Sequence, residues 1–200
     1  AAYLRTELDA TVMLGGHTLE LTRQYDSLDR NTDSEFGDGW RMPIRDFALE
    51  SDLPITSREA SGQANPGLPY REGTRIYATL PDGSRVAFTF KPERKEIPGL
   101  AYYLPRWVAE SGITWTLESS FTHLQRTGDR YYDLVTGLPY NPQSLAGSEP
   151  QFTLTAPDGT KYGVDFGTGT SEVRFADGVT WRVSDSGIVS STGETVRFLP

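Results

Sequence analysis

The 200-residue sequence predicts an all-β protein whose antiparallel hairpins and meander form an open, curved sheet. Three observations predict this fold class. Apolar and polar residues alternate in many short segments, as they do on strands that bury one face. The 20 Gly and 13 Pro interrupt nearly every window that is long enough to show a helical period. Asp-Gly pairs separate several alternating segments, and this dipeptide favours hairpin turns.

The alternating segments are short, and each places apolar side chains at every second position. We expect about ten to twelve strands near the usual length of about 5–6 residues. The apolar positions are Leu19 and Leu21; Val86, Phe88 and Phe90; Tyr162, Val164 and Phe166; Val173 and Phe175; Trp181 and Val183; and Val196 and Phe198.

The segment 113–127 has a mixed pattern. Ile113, Trp115 and Leu117 alternate with threonines, which predicts a strand. Phe121 and Leu124 continue with a spacing that also suits about one or two helical turns. The threonines favour the extended alternative, because β-branched side chains suit strands.

One short turn pattern, Pro-Asp-Gly followed by Ser or Thr and then Arg or Lys, occurs twice. Each copy precedes an alternating strand that ends in Phe, and a third Asp-Gly pair opens a further strand. We expect a two-residue hairpin turn at each pair, since glycine adopts positive φ without a Cβ clash. Further turn pairs towards the C-terminus predict a meander there. The pairs are Asp82-Gly83, Asp158-Gly159 and Asp177-Gly178, and Pro81 and Pro157 precede the first two.

The chain is expected to form a single β-rich module over residues 1–200. Residues 1–50 supply the first strands, and residues 74–200 supply the hairpins and the meander. The segments 54–73 and 136–150 lack alternation and are rich in Pro, Gly, Ser and Asn, so both are predicted as loops. Loops longer than about 12–15 residues are often functional.

Composition and charge exclude several classes of partner and site. A net charge of −8 disfavours binding to nucleic acid and to anionic lipid. The absence of cysteine excludes disulfides, cysteine zinc sites and thiol nucleophiles. No apolar stretch approaches the about 18 residues of a membrane helix, so we expect no membrane insertion. We also expect that any secretion signal lies outside this sequence.

The sharpest motifs lie between residues 17 and 42, on both sides of an acidic stretch. The first motif is Arg-x-Tyr-Asp-Ser at the end of a predicted strand, and the second is Phe-Gly-x-Gly-Trp. Together with the Asp-Gly hairpins, they resemble the start of the shell in RHS/YD-repeat proteins, a likeness that covers roughly residues 10–200. The motif residues are Arg23, Tyr25, Asp26 and Ser27, and Phe36, Gly37, Gly39 and Trp40.

This resemblance implies a structural role. Proteins of the family build a long β-sheet that spirals into a hollow shell, which encloses a C-terminal toxic domain in polymorphic toxins and Tc toxins and serves cell adhesion in teneurins. The chain resembles the N-terminal opening segment of such a shell, and residues 178–193 are similar to a first YD-like repeat, with Trp181 where Tyr is commoner. The family's self-cleaving aspartates lie at the far end of the shell, so no residue here inherits that role.

The resemblance also implies a location and partners. We expect a non-enzymatic module of a secreted or cell-surface bacterial protein. Its partners would be the following YD repeats of its own polypeptide and an enclosed effector domain. The alternative is a carbohydrate- or protein-binding β-domain of a large adhesin, which would use the segments 54–73 or 91–112. The aromatic residues of that region and beyond it form either a groove or sheet core; they are Tyr102, Tyr103, Trp107, Trp115, Tyr131 and Tyr132.

Arg23, Tyr25 and Trp40 allow a structural and a binding interpretation. Arg23 and Tyr25 lie two apart on one strand face, where the arginine either stacks near aromatic rings at a strand–loop corner or contacts a ligand. The two glycines before Trp40 let the chain bend sharply and bring the indole onto the sheet. We expect Trp40 to anchor the core, with a sugar platform as the alternative.

The acidic stretch contains a partial calcium-loop pattern. Asp29, Asn31 and Asp33 match the first, third and fifth positions of such a loop. Ser34 then replaces the required glycine, and Trp40 stands where the bidentate glutamate belongs. We therefore expect a solvated acidic loop, with calcium as the alternative and no other cofactor.

No motif predicts catalysis. The only two histidines are His17 and His123, and the sequence has no Gly-x-Ser-x-Gly segment for a serine nucleophile. Carboxylates are numerous, but their spacing selects no pair for glycoside hydrolysis. No Gly-x-Gly-x-x-Gly segment leads from a strand into a helix, which disfavours a dinucleotide cofactor.

Overall fold

The computed structural model describes residues 3–28, 30–31, 37–47, 49–53, 68–144 and 149–199. Within these ranges the chain is all-β, as predicted, and every strand pair is antiparallel. The described residues contain 18 strands, more than the sequence predicts, because several are only two to four residues long. Their one helical segment is a 3₁₀ turn, Pro142–Ser144. The strands form four sheets, none of which closes into a barrel.

The N-terminal sheet has three strands in the order β1-β2-β3. β1 and β2 form a long hairpin, and a bulge at Asp9 shifts its register between Leu8 and Ala10. These strands are β1 (Leu4–Leu14), β2 (His17–Asp26) and β3 (Trp40–Arg41).

Seven strands form the largest sheet, in the order β10-β13-β14-β15-β16-β17-β18. From β13 onwards each strand pairs with the next one in sequence, so the predicted C-terminal meander is confirmed. The strands are β10 (Thr116–Ser119), β13 (Phe152–Thr155), β14 (Lys161–Asp165), β15 (Gly169–Arg174), β16 (Thr180–Ser184), β17 (Gly187–Ser190) and β18 (Thr195–Arg197).

Two four-stranded sheets lie between these in sequence. The segment 91–112 contains the β7–β8 hairpin and β9, so it is more regular than an exposed binding loop would be. One sheet, in the order β4-β5-β6-β9, comprises β4 (Leu49–Ser51), β5 (Arg75–Thr79), β6 (Arg85–Phe90) and β9 (Trp107–Ala109). The other, in the order β12-β11-β8-β7, comprises β7 (Glu93–Ile97), β8 (Leu100–Leu104), β11 (Leu124–Thr127) and β12 (Arg130–Asp133).

The apolar faces of these sheets form two core clusters. The larger cluster is rich in aromatic rings: Phe90 contacts Tyr70, Trp107, Tyr131 and Tyr140 with ring centroids 5.0–5.8 Å apart. Tyr103 and Trp115 pack against this cluster, so these aromatic residues belong mainly to the sheet core. The smaller cluster joins the N-terminal hairpin to the meander and comprises Leu14, Leu19, Val173, Trp181, Val183 and Ile188.

The predicted strand at 113–117 is only partly correct. Residues 113–115 are irregular, and the strand β10 begins at Thr116. Ile113 and Trp115 still pack against the larger cluster, so their apolar spacing reflects burial without strand pairing. The helical alternative is wrong, because residues 124–127 form β11. Of the two predicted loops, residues 54–67 and 145–148 lie outside the described residues.

The Asp-Gly turns are one residue longer than predicted. Gly83 N–H donates to the Leu80 carbonyl at 2.9 Å, and Leu80 N–H donates to the Ser84 carbonyl at 2.8 Å, so three residues lie between the paired positions. This is a type I turn followed by a glycine bulge, the common three-residue hairpin loop. The turns at Gly159 and Gly178 repeat both hydrogen bonds.

Candidate functional site

The two sequence motifs meet at the end of the N-terminal sheet. β2 and β3 pair in the register Tyr25 to Trp40 and Gln24 to Arg41, and Asp26 N–H donates to the Gly39 carbonyl at 2.9 Å. The pairing thus brings the two ends of the acidic stretch, Asp26 and Gly39, together. We call this arrangement the corner, defined by Arg23, Tyr25, Asp26, Ser27, Gly39 and Trp40. Phe36 lies outside the described residues, and Gly37 accepts a hydrogen bond from Trp40 N–H at 3.1 Å.

Gly39 is the residue on which the corner depends most. Its φ is +76°, a left-handed conformation that other residues adopt at a cost. A Cβ at this position would lie 3.1 Å from Arg30 Cα, 3.1 Å from the Asp26 carbonyl oxygen and 2.9 Å from the Tyr25 ring. Backbone atoms cannot move away as a flexible side chain can, so only glycine allows the two chain segments to approach this closely.

Aromatic rings and one arginine cover the corner. The Tyr25 ring lies between Tyr3 and Trp40, with centroids 6.3 Å and 5.5 Å away. The Arg23 guanidinium carbon lies 5.3 Å from the centroid of the Trp40 ring, a cation–π contact. Trp40 is half-buried and belongs to neither core cluster, so it covers the corner from outside and is not the predicted core anchor.

Arg23 is already occupied by carboxylates of its own sheet. Its Nε and Nη2 donate to the two carboxylate oxygens of Asp9 at 2.7 and 2.8 Å, and Glu7 lies 3.6 Å away. The hydrogen bond to Asp9 raises the pKa of Arg23 above its ordinary value. The bulge places Asp9 outside the regular pairing, where it can reach the arginine. This geometry agrees with the structural interpretation of Arg23, because a bidentate partner fills the side of the guanidinium that would hold an anionic ligand.

Asp26 and Ser27 bind backbone groups. Leu28 N–H donates to Asp26 Oδ1 at 2.9 Å, and Tyr3 N–H donates to Ser27 Oγ at 2.8 Å. Ser27 N–H donates in turn to the Tyr3 carbonyl at 3.0 Å. Both side chains therefore hold the start of β1 and the first turn of the loop in place.

The calcium pattern falls largely outside the described residues. Asp29 and Asp33 are not among them, and Asn31 lies in an exposed turn. No group of three or more His, Asp or Glu side chains in the described ranges is arranged to hold a metal ion. The acidic loop thus keeps its two sequence-based interpretations.

The three Asp-Gly turns share a side-chain hydrogen bond as well as the same backbone hydrogen bonds. Each aspartate Oδ1 accepts the N–H two residues on, at 2.9 Å from Ser84, 2.9 Å from Thr160 and 3.0 Å from Val179. Hydrogen bonds from these residues, chiefly the Ser84 hydroxyl at the first turn and the backbone N–H at the other two, lower the pKa of each aspartate. The aspartates are Asp82, Asp158 and Asp177.

A fourth turn of the same form joins β17 and β18. Gly193 N–H donates to the Ser190 carbonyl at 2.9 Å, and Ser190 N–H donates to the Glu194 carbonyl at 2.8 Å. Thr192 takes the place of the aspartate. The Thr-Gly pair signals a turn in the sequence, but without the aspartate it does not match the pattern of the other copies.

The two histidines make structural contacts. His17 Nε2 lies 2.7 Å from Asp177 Oδ2, and its ring stacks on Phe175 with centroids 3.7 Å apart. This contact ties the N-terminal hairpin to the β15–β16 turn. His123 packs between Tyr102 and Phe121 on the β12-β11-β8-β7 sheet, with centroids 5.1 and 5.5 Å away.

Sequence reasoning did not find a cleft of about 440 Å³ between the N-terminal hairpin and the meander. β2 contributes mainly polar residues to its lining and the meander contributes apolar ones, and only the tertiary fold brings these segments together. The cleft is lined by Thr6 of β1, Thr18, Leu19, Glu20, Thr22 and Gln24 of β2, Pro43, Ile44, Pro81 and Asp82 from the chain between, and Tyr162, Val173, Phe175 and Trp181 of the meander.

Among the described residues, no helix has the length and apolar character to cross a membrane. Comparison with models of known protein families, with curated proteins and with solved structures finds no match to this chain.

Proposed function

We propose that the chain is a non-enzymatic structural module of the RHS/YD-repeat type, which contributes the first part of a β-shell in a secreted or cell-surface bacterial protein. The observation that carries this proposal is the seven-stranded sheet, which grows by one hairpin after another through β18. A sheet of this kind is extended by repeating the same unit, as a shell requires.

The repeated turn supports the proposal. Four hairpins of the chain close with the same three-residue loop, and two of the four loops begin with Pro-Asp-Gly. A constant loop length fixes the register of each hairpin and keeps its apolar residues on one face. Three of these hairpins, β13–β14, β15–β16 and β17–β18, belong to the seven-stranded sheet, and the fourth, β5–β6, belongs to the β4-β5-β6-β9 sheet.

The corner supports a structural role for the motif residues. Arg23, Asp26 and Ser27 are bound by groups of the same sheet. Trp40 and Tyr25 cover the junction of β2 and β3. The side chains that carry the resemblance thus hold the first strands of the wall together. The enclosed effector and the following repeats would be the partners of such a wall.

The outer edge of β18 offers a direct test. Phe198 N–H donates to the Ser186 carbonyl at 3.0 Å, which makes alternate residues of β18 bond to β17. The amides of Thr195 and Arg197 therefore point away from β17, and no described strand pairs with them. A wall that continues beyond β18 must bond to these two amides.

The experiment is hydrogen exchange of the Thr195 and Arg197 amides, measured in the 200-residue chain and in the complete product of its gene. We expect fast exchange in the chain alone and slow exchange in the complete product, with the Val196 amide as the internal control that is protected in both. Equally fast exchange of Thr195 and Arg197 in the two samples would overturn the shell proposal.

A second candidate function, binding of a neutral carbohydrate, is favoured by the cleft. Its lining combines hydroxyl and amide groups and two carboxylates with three aromatic side chains, a mixture of polar and apolar contacts typical of small-molecule sites. Thr22 is half-buried in this lining. We expect NMR titration with neutral oligosaccharides to shift the signals of Thr22 and Phe175. A Thr22→Val variant should lose these shifts at Phe175, while the control variant Thr11→Val should keep them. An unchanged spectrum with every sugar would exclude this candidate.

A further inference from the structure

We propose that the outer edge of β1 pairs with the same edge of a second copy of this chain, in an antiparallel register centred on Thr6. This surface is distinct from β18, so the inference goes beyond the shell proposal and does not depend on it.

β1 is a long edge strand. It has 11 residues, about twice the usual strand length of about 5–6. It stands at the end of the β1-β2-β3 order, and no described residue pairs with its other side. Leu4 and Leu8 are 48% and 59% exposed, which is unusual for leucines that alternate along one strand. Such an edge is a template for another strand.

The backbone of residues 4–8 points alternately towards β2 and towards the free edge. Ser27 N–H donates to the Tyr3 carbonyl at 3.0 Å, so Tyr3 and Ser27 form a hydrogen-bonded pair. Hydrogen-bonded and non-bonded pairs alternate along an antiparallel ladder. Leu4, Thr6 and Leu8 are therefore non-bonded positions opposite β2, and their N–H and C=O groups point to the free edge.

The side chains select one symmetric register. With Thr6 opposite its own copy, Leu4 lies opposite Leu8, and Arg5 lies opposite Glu7, on both sides of the two-fold axis. The outward-pointing backbone groups of Leu4, Thr6 and Leu8 then meet one another. Every cross-strand pair in this register is of a favourable kind, apolar with apolar, hydroxyl with hydroxyl or acid with base.

The neighbouring registers are disfavoured by charge. A change of register must keep the outward-pointing N–H and C=O groups of the two copies opposite each other. The nearest alternative registers therefore centre on Arg5 or on Glu7. The first places two arginines directly opposite, and the second places two glutamates directly opposite, which destabilises a strand pair. The bulge at Asp9 ends the regular edge, so the pairing covers roughly residues 4–8.

These features explain why the occupant is a second copy. Charged residues and bulges on an edge usually prevent indiscriminate pairing. Here the order of the charges is self-complementary, so the same residues that repel an arbitrary strand fit their own copy. A short pairing of this kind is expected to give a weak dimer, because it is smaller than a standard stable interface.

Charge reversal tests the register. We expect sedimentation velocity of the full chain to show a concentration-dependent dimer, and Arg5→Glu and Glu7→Arg each to weaken it about tenfold or more, because two opposite-charge pairs become like-charge pairs. Arg5 Nη2 pairs with Glu7 Oε1 of its own strand at 2.5 Å, but both side chains remain exposed, at 58% and 34%, so the variants are expected to fold. An equimolar mixture of the two variants restores opposite charges across the edge and is expected to dimerise again.

Cross-linking tests the position independently. The chain has no cysteine, so a single Thr6→Cys variant reports one contact without ambiguity. Paired antiparallel residues have the Cα separation that a disulfide needs. We expect Thr6→Cys to form a disulfide dimer under mild oxidation and the matched Thr11→Cys variant, exposed beyond the bulge, to remain largely monomeric. The proposal would be overturned by any of three results: a wild type that stays monomeric up to about 1 mM, charge-reversal variants that dimerise like the wild type, or equal cross-linking at positions 6 and 11.

Discussion

Replacement of Gly39 by alanine is the most direct perturbation of the corner. The φ of +76° costs an L-residue about 1–2 kcal/mol. The new Cβ would lie 3.1 Å from both Arg30 Cα and the Asp26 carbonyl oxygen, and relief of such overlaps typically costs about 1–3 kcal/mol. The loss of chain entropy in the unfolded state offsets about 0.4–1 kcal/mol. The net expectation for Gly39→Ala is a loss of about 2–4 kcal/mol.

The matched control is Gly73→Ala. Gly73 also has a positive φ, +90°, but nothing lies within 4 Å of the position of its Cβ. Its substitution therefore tests the conformational cost alone, and we expect a loss of about 1 kcal/mol. The difference between the two variants measures the close approach of the chain segments at the corner.

Thermal unfolding of both variants, with the indole signal of Trp40 followed by NMR, is the assay. We expect Gly39→Ala to lower Tm by roughly 5–15 °C and to shift the Trp40 signal, since a chain of this size loses about 2–4 °C per kcal/mol. Gly73→Ala should leave that signal in place. If the two variants lose the same free energy of unfolding, the close approach at Gly39 does not hold the corner.

Three further predictions concern the core, the acid response and the acidic loop. Trp181→Ala should lower the free energy of unfolding in urea by about 3–5 kcal/mol, because Trp181 is buried and donates to the Leu14 carbonyl. Trp40→Ala at the half-buried corner should cost less than half as much, and equal losses would contradict the different placement of the two indoles. The Thr122 hydroxyl and backbone N–H groups lower the pKa of Asp133 from 3.8 to about 2, so its carboxylate stabilises the fold above about pH 4, and this stabilisation is lost as the pH falls towards 2. Asp133→Asn should therefore flatten the plot of unfolding free energy against pH between these values, and an unchanged slope would refute this role of Asp133. Because Ser34 and Trp40 replace the glycine and the glutamate of a calcium loop, we expect Ca²⁺ to leave Tm unchanged. A rise in Tm would instead identify calcium ligands in the acidic stretch.

Much of the fold could be predicted because its strands have one buried face. Val86, Phe88 and Phe90 alternate in sequence and are all buried in β6. Burial of every second side chain produces an alternating pattern of apolar and polar residues, and the Asp-Gly turns mark where that pattern is interrupted. For Arg23 and Tyr25 the sequence led us to expect a place at a strand–loop corner, whereas the expected core position of Trp40 was wrong.

The rest depends on contacts that no local pattern records. Ile113 and Trp115 are spaced like strand residues but pack irregularly, since burial alone sets their spacing. The length of each Asp-Gly turn is set by which flanking residues pair, and the Asp-Gly dipeptide alone does not determine that pairing. The cleft beside Thr22 forms between segments that are far apart in sequence, so its existence could be learned only from the tertiary fold.

The contact between the first hairpin and the last turns constrains the order of folding. Trp181 Nε1–H donates to the Leu14 carbonyl across 167 residues, and Gly15 N–H donates to the Glu194 carboxylate across 179. The meander consists of neighbouring hairpins, which can form as soon as each is synthesised. The fully buried partners of Leu14 and Leu19 in the smaller cluster all belong to the meander. During synthesis the β1–β2 hairpin must therefore wait for the chain to reach Glu194, and its exposed leucines are the segment that a ribosome-associated chaperone would need to cover.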